Sequence, residues 1–501
     1  MTNKILFYQD YDLTTFALSK KLKEQFNYKI YAILDFTNNF HSFFKKQKIV
    51  EYDKTWFLYD HISKIIKPDL DYLKYIEKKY GIELWKIASN DRIFYKYNPF
   101  HKFSENEILI ILEQQCKLFE KIFNEIKPDF VILPITNSGR NHIFYEMCLS
   151  LGIKILMLNG SRLGGRVMFT QKAEEIDYIE NIQIKNIPER SLEQLRDILY
   201  KVDNFSDAHK FSSHFLKSKK SAFKAGLKYI FSPNRNIKTH YTYFGRKKIN
   251  VLIYTVLMSL KKRYRLFLIN KKLIKKIPSN EKFIYFPLIT EPERGLLIAA
   301  PFHTNLVELT RHISKSLPIG FKLYVKDHPS METRDWRPFS FYQQILDLPN
   351  TIVLHHSINP KDILPKCSMV LTIGGSAGFE AAFYEKPSIT FVDALYSKLN
   401  SVSVVNNINE LPSLIRKKLN ENYDVSDLNQ FVNLLEINSF YFDWSGISNH
   451  QHDILFFSGF LSDVEVTESQ MLNFLTIIEP EIEKLTNECN KKILQHNFHK
   501  K

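Results

Sequence analysis

The chain has 501 residues, of which 44% are hydrophobic and 25% are charged, and its formal net charge is +15. This length predicts two or three domains, and the composition is typical of globular proteins and excludes a disordered chain. The four cysteines form no Cys-x-x-Cys pair, which argues against a disulfide scaffold or a zinc ribbon and fits a reducing cytoplasm. We expect no signal peptide and no transmembrane helix, because a strand begins at Lys4 and no apolar run reaches ~18 residues.

The N-terminal part alternates strands with helices. The predicted elements are a strand over 4–8, a helix over 13–26, a strand over 29–34, a helix over 105–125, a strand over 130–133, a helix over 142–151 and a strand over 154–158. This alternation predicts a Rossmann-like domain over 1–205, although the dinucleotide fingerprint G-x-G-x-x-G is absent. Residues 36–103 have no clear periodicity and are predicted to be irregular.

The positive charge is concentrated in a segment that we call the basic segment, residues 208–280. It contains 19 Lys or Arg residues and no Asp or Glu. An apolar run over 251–260 precedes four basic residues in 261–265. This pattern predicts contact with an anionic membrane surface, and the alternative is a solvated helical arm between two domains. We expect no nucleic-acid partner, because no nucleic-acid-binding motif accompanies the charge.

The α/β pattern resumes after the basic segment. The predicted strands cover 283–286, 321–325, 351–354, 369–373 and 388–392, with helices over 304–317, 359–365 and 377–385. The predicted domains are an N-terminal Rossmann-like domain over 1–205, a basic helical insertion over 206–280, a C-terminal Rossmann-like domain over 281–425 and a helical tail over 426–501 that packs back on the domains. The predicted fold class is therefore α/β, with two Rossmann-like domains facing a cleft.

Two loops of the second domain follow the ends of predicted strands, where parallel sheets bind ligands. The first contains Lys326, His328 and Pro329; the histidine is a candidate donor to a phosphate oxygen, and the lysine adds a charge. The second loop is predicted to bind phosphate through its glycines, its hydroxyl and the start of the next helix, and Glu380 is predicted to accept bonds from ribose hydroxyls. The residues of this loop are Gly374, Gly375, Ser376, Ala377, Gly378 and Glu380. The alternatives are a tight strand–helix turn and a histidine that caps a strand end.

These loops resemble a known family. Phe286-Pro287-Leu288, Lys322 to Pro329 and Thr372 to Ala381 are similar to the C-terminal half of capsule polysaccharide biosynthesis proteins, which are GT-B glycosyltransferases that include Kdo transferases. More loosely, the loop over 161–166 resembles the Ser-Arg-Ile loop of the family. The resemblance implies that both loops hold the phosphate of a nucleotide sugar, with CMP-linked donors among the options. It implies no further cofactor and no metal.

The resemblance also implies that the N-terminal half supplies the acceptor site and any catalytic base. Asp10 and Asp12 are the candidates for the base, and the alternative for Asp12 is to cap the next helix. The candidates for binding the donor sugar or the acceptor are Asn137, Arg140, Ser161, Arg162, Arg166, Glu291 and Glu293. The guanidinium of an arginine can donate two hydrogen bonds to one carboxylate, which suits a sugar that carries a carboxylate group. The alternative for these arginines is a salt bridge at the surface.

The expected function is transfer of a sugar, Kdo or another ulosonic acid, from a nucleotide donor to a surface polysaccharide or a lipid-linked acceptor. The expected location is the cytoplasm, at the inner face of the cell membrane. The alternatives are a polyol-phosphate transferase of the teichoic-acid type, a sugar epimerase and a non-catalytic glycan-binding or assembly subunit.

Overall fold

The computed structural model describes residues 3–62, 67–94, 98–177, 188–202, 219–233, 238–279, 281–291, 293–332, 337–423 and 426–498. The strands are β1 (Lys4–Gln9), β2 (Lys29–Leu34), β3 (Lys54–Phe57), β4 (Phe130–Pro134), β5 (Lys154–Gly160), β6 (Arg166–Thr170), β7 (Lys282–Pro287), β8 (Phe321–Lys326), β9 (Thr351–Leu354), β10 (Met369–Thr372), β11 (Ser388–Thr390), β12 (Val402–Val404) and β13 (Phe440–Tyr441).

The helices alternate with these strands and dominate the C-terminal region. They are α1 (Thr14–Gln25), α2 (Asn38–Lys46), α3 (Leu70–Tyr80), α4 (Leu84–Asn90), α5 (Glu105–Ile126), α6 (Gly139–Ser150), α7 (Leu192–Leu199), α8 (Lys219–Phe231), α9 (Lys248–Lys272), α10 (Arg294–Leu297), α11 (Leu306–Ser316), α12 (Phe339–Leu346), α13 (Pro360–Ile363), α14 (Ser376–Ala382), α15 (Leu411–Asn420), α16 (Ser426–Asn438), α17 (Trp444–Leu455) and α18 (Glu468–Phe498).

The first sheet has the strand order β13-β6-β5-β4-β1-β2-β3. Strand β1 pairs in parallel with β2 on one side and with β4 on the other. The chain therefore adds β2 and β3 on one side of β1 and then adds β4 on the other side. This reversal of strand order places a topological switch point between β1 and β4. Strands β6 and β13 are antiparallel additions at one edge.

The second sheet has the order β12-β11-β10-β7-β8-β9, and its described pairs are parallel. Its switch point lies between β7 and β10. Because β8 ends at Lys326 and β10 ends at Thr372, the two predicted phosphate loops begin at the same edge of this sheet. The predicted fold class, α/β with two Rossmann-like domains and a helical C-terminal region, is confirmed.

The C-terminal region is part of the core of the first domain. Met471, Phe474 and Ile478 of α18 are buried in one cluster with Phe16 and Leu22 of α1. Such continuous burial of large apolar side chains is the main stabilising term in a domain of this kind. Within the described residues 426–498, α18 therefore packs on the first domain, whereas Leu428 and Val432 of α16 are buried in a cluster with Phe379 of the second domain.

Residues 36–103 differ from the prediction, because they contain α2, β3, α3 and α4. Helix α2 shows why the pattern was missed. Its Phe40, Phe43 and Phe44 are buried, and so are Asn38 and His41. This helix has only nine residues and three of its six buried side chains are polar, so the apolar pattern of the sequence does not mark its whole buried side.

The basic segment is helical where the structure describes it, over α8 and α9. Residues 208–218, 234–237 and 280, which belong to the same prediction, lie outside the described residues. None of the described helices combines the length and the apolar character needed to cross a membrane.

Candidate functional site

A cavity of about 720 Å³ opens at the carboxyl edge of the second sheet. Its walls come from the loops after β7, β8 and β10, from the loop between β5 and β6, and from the C-terminal region. The lining residues relevant to its chemistry are Arg162, Arg166, Thr290, Lys326, His328, Pro329, Lys361, Gly375, Ser376, Ala377, Glu380, Tyr441 and Trp444. The cavity therefore lies at the β7–β10 switch point, between the two sheets, and its size is that of a small-molecule site.

A buried ion network holds the His-Pro loop in place. Asp327 Oδ1 accepts the backbone N–H of His328 at 2.7 Å, and its carboxylate is also bonded by Arg337 and by the Tyr342 hydroxyl. Arg337 Nε donates to Glu291 Oε2 at 2.7 Å, and all three charged side chains are buried. Glu291, predicted to bind the sugar or the acceptor, instead neutralises Arg337, because a buried guanidinium requires paired carboxylates.

The hydrogen bonds of His328 define which ring nitrogen carries the proton. Nδ1 accepts the backbone N–H of Ser330 at 3.2 Å and lies 2.8 Å from its hydroxyl oxygen. A neutral imidazole that accepts at Nδ1 carries its proton on Nε2. The exposed ring at the cavity wall therefore has the tautomer that donates from Nε2.

Lys326 and Glu380 form the polar floor of the cavity. Burial lowers the pKa of the Lys326 ammonium to about 8, and the Asp327 and Glu380 carboxylates oppose this decrease. Burial raises the pKa of Glu380, whereas a hydrogen bond from Ser376 and the charges of Lys326, Arg162 and Lys361 lower it. Three cations thus act on one carboxylate, which gives this end of the cavity a positive field suited to a phosphate.

The glycine loop is shaped by Tyr396. Its hydroxyl donates to the carbonyl of Gly375 at 2.5 Å, and the Gly375 N–H donates to Thr372 Oγ1 at 3.0 Å. A Cβ at Gly378 would lie 2.5 Å from the Tyr396 hydroxyl oxygen. Glycine is therefore required at 378 by the packing of Tyr396. Gly374 and Gly378 are not among the described residues that line the cavity, contrary to the expectation that they approach a ligand.

We expect Gly378→Ala to destabilise the second domain by about 1–3 kcal/mol, because the added methyl group displaces the Tyr396 hydroxyl that holds Gly375. Denaturant unfolding measures this change. Gly226→Ala is the matched control, since a Cβ there meets nothing within 4 Å and the residue lies in helix α8. Equal stability of the two variants would contradict this account of the loop.

Arg162 connects the two domains across the cavity. Its Nη1 donates to the carbonyl of Gly374 at 2.8 Å, and its guanidinium lies 5.6 Å from the centre of the Tyr396 ring. Its φ of 64° is in the left-handed region, which is rare for a residue other than glycine. Backbone conformations of this kind are maintained where the surroundings require them, often at functional sites.

The two other predicted residues of this loop have structural contacts. Ser161 is buried, and its hydroxyl donates to the carbonyl of Arg166 at 2.9 Å, which closes the β5–β6 turn. Arg166 lines the cavity, but its Nε donates to Ser439 Oγ at 2.8 Å and its Nη2 donates to the carbonyl of Glu436 at 2.7 Å. These bonds attach the C-terminal region to the loop, so Arg162 is the loop arginine best placed for a ligand.

Asp10 and Asp12 lie at the carboxyl end of β1, in the first domain. Asp12 Oδ1 accepts the N–H of Thr14, the first residue of α1, at 3.0 Å, and its Oδ2 accepts from Trp444 Nε1 at 3.2 Å. The N-cap residue of α1 is Leu13, so Asp12 lies one residue before the capping position that the alternative assigned to it. Asp10 Oδ1 accepts the N–H of Asp12 at 2.9 Å. Burial and the Asp12 charge raise the pKa of Asp10 to about 7. Neither aspartate is among the described residues that line the cavity, but Trp444 is.

Three of the predicted residues do not line this cavity in the part of the chain that the structure describes: Asn137, Arg140 and Glu293. Arg140 Nε pairs with Asp35 Oδ2 at 2.5 Å, so its charge is neutralised inside the first domain. Asn137 lines a separate cavity of about 30 Å³. Glu293 precedes helix α10 as its N-cap residue. The structure therefore does not support the predicted contact of these three residues with a ligand in the main cavity.

The sequence prediction missed Lys361, Tyr441 and Trp444. Lys361 is the second residue of the short helix α13, and the side chain of the N-cap residue Asn359 accepts its N–H at 3.0 Å. Tyr441 and Trp444 reach the cavity because β13 pairs with β6, which is far away in the sequence. A helix-cap pattern at Asn359 signals the start of α13, whereas no local pattern predicts a pairing over such a separation.

A histidine cluster lies in the first domain. The potential ligand atoms of His41, Asp60 and His240 all lie within 4.8 Å of one another, which suggests a metal site. However, the backbone N–H of Asn38 donates to His240 Nδ1 at 2.9 Å, so the neutral ring carries its proton on Nε2 and offers no lone pair there. Burial lowers the pKa of His240 to about 4, which keeps the ring neutral. In this tautomer His240 cannot ligate a metal, and the direct contact within the cluster is the 3.2 Å approach of His41 Nε2 to Asp60 Oδ1.

Two solved structures illustrate the similarity to known proteins. The KpsC β-Kdo 2,4 transferase of Thermosulfurimonas dismutans is 11% identical over 72% of this chain and 93% of its own, with a TM-score of 0.33. The UDP-GlcNAc 2-epimerase of Methanocaldococcus jannaschii, in complex with UDP-GlcNAc and UDP, is 12% identical over 87% of this chain and all of its own, with a TM-score of 0.26. These values describe a distant likeness only.

The sequence comparisons identify a family. No curated protein matches the chain. The family model described as "Capsule polysaccharide biosynthesis protein" matches residues 183–400, which include both loops of the cavity. The resemblance to the capsule polysaccharide biosynthesis family is therefore confirmed over residues 183–400.

Proposed function

We propose that the protein is a metal-independent glycosyltransferase that moves a sugar from a nucleotide donor to a surface polysaccharide or a lipid-linked acceptor. The observation that carries this proposal is that Lys326, His328 and the Ser376 loop meet in one cavity at the switch point of the second sheet. The capsule biosynthesis domain over 183–400 supports a polysaccharide product. The cavity volume suits a nucleotide sugar.

The proposed mechanism stabilises the departing phosphate. As the bond between the sugar and the phosphate oxygen breaks, negative charge grows on the nucleotide. His328 donates from Nε2 to this oxygen, and Lys326 supplies a fixed positive charge. Donors that are already in position stabilise the transition state more than mobile water does. Glu380 accepts hydrogen bonds from the ribose.

The acceptor hydroxyl must lose a proton, and we assign this role to the Asp10–Asp12 pair. The pKa of Asp10, about 7, is near the value at which a general base is most effective at neutral pH. Because neither carboxylate lines the cavity, this role requires the acceptor hydroxyl to approach the carboxyl end of β1 beside Trp444, whose Nε1 donates to Asp12. Arg162 is assigned to the carboxylate of an ulosonic acid such as Kdo, because a guanidinium pairs well with a carboxylate.

Nucleotide affinity should depend on the protonation of Lys326. The ammonium is charged below its pKa of about 8, so its attraction for phosphate is present at lower pH and is lost as the pH rises through this value. We expect the affinity to fall by up to about tenfold per pH unit above pH 8. Calorimetric titration at several pH values measures this dependence. A Lys326→Met variant with the same dependence would show that another group is responsible.

The mass of the product tests the proposed function. The protein is incubated with CMP-, UDP- and GDP-sugars and an oligosaccharide acceptor, and we expect one donor to add a single sugar without phosphorus. Addition of a polyol phosphate from a CDP donor would instead identify a teichoic-acid type of transferase. Conversion of a donor without any acceptor would identify an epimerase, and failure to bind any nucleotide would favour a non-catalytic subunit.

We place this reaction in the cytoplasm, at the inner face of the cell membrane. The four cysteines support a reducing compartment, because all four are buried as free thiols. Fractionation of cells that express the full-length protein tests this location. Recovery from an extracellular or periplasmic fraction would contradict it.

A further inference from the structure

Helix α9 of the basic segment leaves a row of large apolar side chains in solvent. These residues, which we call the apolar stripe, recur every three or four positions: Ile249, Ile253, Val256, Leu260, Tyr264 and Phe267. Each is between 53% and 65% exposed. Scattered exposed apolar residues are normal on a protein surface, but a continuous row of this length marks a binding surface.

The opposite side of α9 is attached to the protein. Arg265 and Ile269 are buried, and Arg265 donates to the carbonyl oxygens of Met331 and Arg337, each at 3.2 Å. At the other end, Lys248 Nζ donates to the carbonyl of Ile230 at 2.7 Å, which joins α9 to α8. The helix is therefore docked along one side, and the apolar stripe is the side that it presents outward.

The charges around the apolar stripe indicate which kind of partner it binds. At the helical periodicity, Lys261 and Arg263 fall on the two borders of the apolar stripe. The whole basic segment has no acidic residue that would offset them. Helix α8 repeats the pattern, since Phe223 and Phe231 are exposed beside several lysines. Apolar side chains bordered only by positive charge are complementary to an anionic lipid surface.

We propose that α8 and α9 form a docking surface for an anionic lipid bilayer. The helices lie along the membrane, with the apolar stripe at the boundary of the acyl chains and the basic residues among the head groups. Each Lys or Arg near an anionic leaflet strengthens such binding. Because Arg265 of α9 also holds the segment after His328, the bilayer and the cavity are connected through one helix, which suits a lipid-linked acceptor.

Sedimentation of the full-length protein with vesicles tests this inference. We expect the protein to sediment with vesicles that contain phosphatidylglycerol and to stay in the supernatant with vesicles of phosphatidylcholine alone. Binding should decrease at ~1 M salt, where the Debye length is about 3 Å. Absence of sedimentation with anionic vesicles at low salt, or equal binding to both lipids, would overturn the proposal.

Matched variants identify the surface that binds. We expect Ile253→Glu with Leu260→Glu to weaken vesicle binding at least tenfold. The control, Leu472→Glu with Leu494→Glu, replaces apolar residues of similar exposure on α18 and should bind as the wild type does. Equal binding of the stripe variant and the wild type would overturn the assignment. Self-association that requires the apolar stripe, without vesicle binding, would assign this surface to a second copy of the chain.

Discussion

Replacing His328 with alanine should reduce the rate of sugar transfer by about 10²–10⁴-fold. The imidazole is exposed at the cavity wall, and its tautomer places a donor on Nε2, so alanine removes a proton donor to the departing phosphate. A single-turnover transfer assay at saturating donor concentration measures this loss. It separates the chemical step from donor binding, because the substitution should affect the rate more than the affinity.

Two comparisons make this prediction specific. His312→Ala is the matched control, since His312 is a surface histidine on α11 of the same domain, and it should retain wild-type activity. The thermal unfolding of His328→Ala should match that of the wild type, because an exposed side chain contributes little to stability. Full activity of His328→Ala would exclude the proposed role of the imidazole.

Replacing Arg337 with methionine should destabilise the second domain by about 3–5 kcal/mol. Arg337 is the counter-charge of two buried carboxylates, Asp327 and Glu291, and its removal takes the guanidinium away from both. The affinity for nucleotide should also fall, because Asp327 positions the backbone of His328. Denaturant unfolding and calorimetric titration measure the two effects separately.

Removing the Glu291 and Asp327 charges together with Arg337 tests whether these carboxylates cause the loss of stability. In the Arg337→Met background, Glu291→Gln and Asp327→Asn remove the two carboxylate charges that Arg337 paired with, and we expect them to restore at least ~1 kcal/mol of stability. Lys322→Met with Glu281→Gln is a control for ion pairs in general, because this pair is at the surface and should contribute less than ~1 kcal/mol. A loss of stability in Arg337→Met that equals that of the surface control would contradict the account of the network.

The phosphate loops were predictable because strand and loop signals are local. Apolar strands that end at Lys326 and Thr372, followed by polar or glycine-rich residues, indicate where ligands bind in a parallel sheet. The apolar periodicity also predicted nine of the thirteen described strands, and it missed β3, β6, β12 and β13. The role of Gly378 was not predictable, because the contact that requires glycine comes from Tyr396 and not from a ligand.

The rest of the site depends on pairings between distant parts of the sequence. Arg140 and Arg162 are both loop arginines, yet Asp35 neutralises the first and only the second crosses to Gly374. Sequence patterns do not show which acidic residue lies beside which arginine. For the same reason, the sequence did not show that Glu291 forms an ion pair with Arg337. It also did not show that Trp444 reaches the cavity from the C-terminal region.

Calorimetric titration of the full-length protein with CMP, UDP, GDP and CDP tests the central claim, that the two loops after β8 and β10 form one phosphate site. The account predicts that at least one nucleotide binds with one site per chain. It also predicts that His328→Ala combined with Ser376→Ala lowers this affinity by at least about tenfold, which corresponds to 1.4 kcal/mol. Absence of binding by all four nucleotides, or an affinity that the double substitution leaves unchanged, would contradict it.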